Sequence, residues 1–184
     1  MAVKITTEKT KDQEEILNDL IRLGKRGGFF PESFPDETGV NELTEQTESV
    51  TDRLSDQLQE RLHNPKNYMM ACVSFAMYIG MGGCYLWKTG PEEVKEKDIM
   101  ELLLYKSDLL SMDVYVADLT DLNADPAYAG RFRDFLALFQ TRALMLACNG
   151  DPEKLNPETC KVAACAMYRL GILLQAERMS GSKE

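Results

Sequence analysis

From Asn67 to Trp87 the chain runs twenty-one residues without a charge, reading NYMMACVSFAMYIGMGGCYLW, while its flanks mix apolar and charged positions at helical spacing. A helix of that run is roughly 30 Å long, enough to cross a hydrocarbon core or to run through the centre of a globular domain. Composition favours the second. Met, Ala, Cys and Gly dominate where a spanning helix draws on Leu, Ile, Phe and Val, and Ser74, Tyr78 and Tyr85 lie inside the run. Gly80, Gly82 and Gly83 each weaken an aqueous helix by about 1 kcal/mol, but their missing side chains let a neighbouring backbone approach.

The punctuation around this run predicts helices joined by short turns. A capping-type residue followed by proline recurs at Asn64-Pro65, Gly90-Pro91, Asp125-Pro126 and Asn156-Pro157. Gly24, Gly90, Gly150 and Gly181 mark stops, where glycine takes the left-handed conformation that ends a helix. The apolar period then predicts a first helix over about 10–23, with Ile16, Leu17, Leu20 and Ile21 on one face. A second, over about 42–63, carries a narrow stripe of Leu43, Val50, Leu54, Leu58 and Leu62, suited to an outer helix or a coiled-coil-like dimer. The uncharged run lies in the third, about 65–88. A fourth starts at Pro91 and aligns Ile99, Leu102, Leu103, Leu109 and Leu110, with Leu104 and Tyr105 widening its face. A short helix follows within 113–125, a long fifth helix spans about 126–149, and the last covers about 157–179.

No segment sustains strand alternation, so the fold class is all-α: one domain over 1–184, a bundle of about six helices with the third and last at its centre. The ends, about 1–9 and 180–184, read as frayed. The stretch over about 24–41 reads as a long irregular connection whose Phe29, Phe30 and Phe34 must pack somewhere. NPKNYMMACVSFAMYIG and NPETCKVAACAMYRLG share an opening and an Ala-Met-Tyr triplet, offset by 92 and 90 residues. They raise an internal duplication of a three-helix unit against chance reuse of a cap and small core residues.

Composition adds exclusions. A formal charge of -9, with Lys and Arg scattered, excludes nucleic acid as the expected partner. Cys72, Cys84, Cys148, Cys160 and Cys165 form no C-x-x-C pair and fall in apolar helical patterns, as reduced core thiols do. Cys160, in a first helical turn beside Lys161, is the one with a thiolate-favouring setting. No basic flank leads into an apolar leader at Met1, so the expected setting is cytoplasmic, with no membrane partner.

Candidate chemistry is sparse. His63 is the only histidine, which excludes any triad or zinc site needing two imidazoles from one chain, and Glu60–His63 is half of the E-x-x-H pattern of di-iron bundles. The GKRGG loop from Gly24 to Gly28 lacks the G-K-[ST] ending of a phosphate loop, and Lys25 and Arg26 suit a helix C-terminus. Glu92, Glu93 and Glu96 share one helix face, and Asp118 and Asp121 follow in the next element, an oxygen set of the kind that binds Mg²⁺. This EEVKE followed by DLTD resembles the E-E-x-x-E and E-x-x-D pattern of the all-α nucleoside triphosphate pyrophosphatases, with Asp118 where that pattern has glutamate. The resemblance covers about thirty residues and implies Mg²⁺-dependent nucleotide hydrolysis. The reading preferred from the residues themselves is a non-catalytic helical module, without a cofactor, that binds a protein partner, a second copy of itself, or a hydrophobic ligand. The ligand pocket would be lined by Met69, Phe75, Met77, Phe135 and Phe139.

Overall fold

A computed structural model describes residues 11–181. It contains eight α-helices and no strand among those residues: α1 (Gln13–Arg26), α2 (Asn41–Glu45), α3 (Thr47–Arg61), α4 (Pro65–Thr89), α5 (Ile99–Lys106), α6 (Met112–Leu119), α7 (Pro126–Ala147) and α8 (Pro157–Gly181). The expected frayed residues 1–9 and 182–184 lie outside the described part, and α8 continues past its expected end near Met179.

The proline-marked starts form as the sequence predicts at three of four sites. The Asn64 side chain accepts from the amides of Lys66 and Asn67, Asp125 from Ala127 and Tyr128, and Asn156 from Thr159. The fourth differs. Pro91 is extended, Glu92–Glu96 wind as a 3₁₀ turn, and α5 begins only at Ile99, where Asp98 accepts from the Glu101 amide. Asp108 then caps a second 3₁₀ turn, Leu109–Ser111, which runs into α6. The long fourth helix is therefore broken by its own aspartates, whose side chains offer the backbone an alternative to helical bonding.

The second expected helix also divides. Gln46 falls between α2 and α3, and its side-chain oxygen accepts from the Ile99 amide at 3.2 Å, a tertiary bond with no local sequence signal. Gly24 is a buried residue inside α1, and Gly90 has φ −80°. The left-handed glycines are Gly28, Gly39 and Gly150.

The centre is the pairing of α4 with α8, around which α1, α3 and α7 pack on α8 while α3, α5, α6 and α7 pack on α4. Glycine sets how closely the central pair approaches. A Cβ on Gly80 would overlap the Tyr168 carbonyl oxygen, and one on Gly171 would overlap the Met77 carbonyl oxygen, so each helix presses a glycine onto the other's backbone. Helix α4 is long and apolar enough to cross a membrane by length and composition, and over half of its apolar window is buried in the fold. The leucine stripe of α3 faces inward: Val50, Leu54 and Leu58 are fully buried. The stripe expected on an outer helix or in a coiled-coil-like dimer is covered within the chain by α4 and α8.

Phe29, Phe30 and Phe34 from the 27–40 connection fold back over α7. Phe29 stacks on Phe135 at 4.6 Å between centroids, and Phe30 lies 5.9 Å from Phe139 and 3.9 Å from Phe34.

Candidate functional site

The residues singled out by sequence scatter over the fold. Met77 and Phe139 are wholly enclosed, Met77 at the glycine crossing and Phe139 under Phe29 and Phe30. Met69, Phe75 and Phe135 are half-buried around them. None of the five lines the clefts at the ends of α4 and α8, between α3 and α5, beside Cys165 or between α1 and α7. Glu92, Glu93 and Glu96 are exposed on the 3₁₀ turn after α4, Asp118 is exposed on α6, and Asp121 follows α6 with φ 53°. These carboxylates are not gathered: among the described residues no three His, Cys, Asp or Glu side chains are placed to hold a metal ion. His63 lies beyond the end of α3, so Glu60 and His63 do not share a continuous helix. Lys25 and Arg26 close the last turn of α1.

A cleft of about 840 Å³ opens between the C-terminal ends of α4 and α8, with Asp36, Lys88, Asp121 and Arg178 on its walls. The Thr38 hydrogen bonds, and secondarily the Lys88 charge, hold the Asp36 carboxyl below its ordinary range. Arg178 donates to the Thr120 carbonyl at 3.1 Å and to the Gln175 side-chain oxygen at 2.9 Å, and its guanidinium lies 5.2 Å from the Tyr128 ring centroid. The hydroxyls of Thr89 and Thr120 donate to carbonyls of their own helices, Tyr85 and Val116, each at 2.7 Å. The cleft is of mixed polarity, Arg178, Thr89 and Thr120 spend donors on structural bonds, and its lining residues include no nucleophile–base pair.

A different surface stands out by its apolarity. Tyr105 is 84% exposed, Val114 61% and Leu110 44%, all within ten residues of one another. The break at Ser107 produces this. In one unbroken helix these positions would widen the buried face, but after the break Leu109, Met112 and Val116 turn inward while Leu110, on the 3₁₀ turn, and Val114, on α6, stand exposed. Beside them a largely polar groove of about 460 Å³ between the ends of α3 and α5 is lined by Gln57, Lys106 and Ser107 as well as Leu104, Tyr105 and Leu109, and is crossed by the Arg61–Asp108 ion pair at 2.7 Å.

The cysteines rearrange the expected order of reactivity. Cys160, Cys72, Cys84 and Cys148 are fully buried, and the Cys160 thiol points at the Met69 carbonyl at 3.6 Å. Cys165 retains 5% exposure and lines a cleft of about 470 Å³ with Thr51, Asp52 and Lys161. Burial pushes its thiol above the ordinary range, partly offset by the Thr51 hydroxyl at 3.2 Å. Native alkylation is therefore expected at Cys165 before the other four, with a rate that climbs about tenfold per pH unit and keeps climbing above pH 9, because the thiolate is the reactive form. Mass spectrometry of the labelled peptides across pH 7–10 measures it. First labelling at Cys160 would contradict the assignment.

No protein-family model, no curated protein and no solved structure matches this chain.

Proposed function

We propose that the chain is a non-catalytic helical module that docks a protein partner on the ridge formed by Tyr105, Leu110 and Val114. The observation that carries this reading is the exposure of three large apolar side chains within ten residues, next to a groove, where the other exposed large apolar side chains, Met70, Leu138 and Met145, are spread over α4 and α7. Aromatic residues with one wet end are favoured anchors in protein interfaces. Five buried thiols without disulfides support a reducing, cytoplasmic setting.

The central crossing supports the internal duplication: Gly80 and Gly171, and the residues they touch, Met77 and Tyr168, are each 91 residues apart, between the offsets read from the two motifs.

A photoreactive phenylalanine analogue in place of Tyr105, compared with the same analogue at exposed Glu92, tests the docking surface in cells. A discrete crosslinked species only from position 105 is expected. A product of twice the chain mass would make the partner a second copy, and any other discrete mass a different protein. Identical products from both positions, or none from either, would remove the proposal.

A further inference from the structure

The charge on this chain is -9, yet the groove where α1 runs against α7 gathers arginine. Asp19, Arg22, Leu23 and Arg26 lie on one face of α1, spaced three and four residues apart, and Arg142 reaches them from α7. Together they line an open cavity of about 170 Å³. Arg142 grips Asp19 side-on, Nε to Oδ1 at 2.8 Å and Nη2 to Oδ2 at 3.2 Å, which leaves its other Nη hydrogens uncommitted. That grip holds the Asp19 carboxyl below its ordinary range, so it is ionised at neutral pH. The nearest approach of Arg22 to the same carboxylate is 3.7 Å, beyond a hydrogen bond, and Arg26 makes no hydrogen bond or ion pair with any described residue.

We propose that this cavity binds a phosphoryl dianion, held by Arg22, Arg26 and Arg142 with Asp19 orienting Arg142. Three guanidinium groups against one carboxylate leave two positive charges facing the cavity, the complement of a phosphate or phosphate monoester at neutral pH. The cavity's size suits a single phosphoryl group rather than a whole nucleotide. Guanidinium forks match phosphate oxygens geometrically, and the mutual repulsion of three such forks around one carboxylate is relieved when an anion enters. Helix-end electrostatics alone account for Arg26 but not for Arg142, which precedes the last turn of another helix.

Calorimetric titration of the full chain with inorganic phosphate, and separately with O-phosphoserine, at constant ionic strength tests this. Saturable one-to-one binding in the millimolar range or tighter is expected. Arg22→Gln and Arg26→Gln should each weaken it about tenfold, and both are solvent-facing changes that leave the fold intact. Lys66→Gln, the same charge change outside the cavity, should leave it unaltered. Binding of phosphate alone identifies a free-ion site, whereas equal or tighter binding of O-phosphoserine identifies a group carried on a larger molecule. Either supports the shared chemistry. No saturation by either ligand, or equal weakening by Lys66→Gln, overturns it.

Discussion

Gly80→Ala is expected to lower the melting temperature by roughly 6–12 °C, and Gly171→Ala by a similar amount. In each case the added methyl meets a backbone carbonyl of the opposite helix, not the end of a flexible side chain, so the clash is relieved only by moving α4 and α8 apart. Overpacking of this kind costs about 3 kcal/mol, and at this chain length each kcal/mol shifts the midpoint by about 2–4 °C. The two substitutions act on one contact. Once the first has separated the helices, the second meets less resistance, so the double variant should lose well under the sum of the single losses. Calorimetric melts of the three variants measure both effects. Single variants that melt within about 1 °C of the parent would show that the helices do not cross here.

Phe139→Ala is expected to cost about 3–5 kcal/mol, the usual range for deleting a wholly enclosed phenylalanine. The ring is covered by Phe29, Phe30 and Phe135, so its removal leaves a hollow that these rings, anchored in the 27–40 connection and on α7, fill only in part. Phe135→Ala, at a half-buried position, should cost distinctly less. The comparison also separates a packed core from a ligand pocket, because a residue lining an existing hollow has fewer contacts to lose. Urea denaturation of both variants decides it. A loss of less than about 1 kcal/mol for Phe139→Ala would favour the pocket.

Much of the architecture was legible because its signals are local. The Asn-Pro and Asp-Pro starts declare themselves within three residues, and the inward face of α1 follows from Ile16, Leu17, Leu20 and Ile21 alone. What escaped is either tertiary or a contest between two local rules. The break at Gln46 depends on an amide fifty-three positions later. The division of the expected fourth helix set its apolar period against the capping strength of Asp98 and Asp108, and the caps won. That outcome exposes Tyr105 and Leu110, which period counting assigns to the buried face. The arginine cavity was out of reach for a plainer reason: Asp19 and Arg142 are 123 residues apart, and neither carries a motif. Arg26 alone looks like an ordinary helix ending.

The glycine crossing also dictates when this protein can be finished on the ribosome. Its uncharged helix is made early, but the largest of the surfaces that cover it is the last long helix of the described chain, about ninety residues downstream. At about 5–20 residues per second, that apolar rod waits roughly 5–20 s for its counterpart. During that interval the glycine-bearing face of α4 has no α8 to pack against.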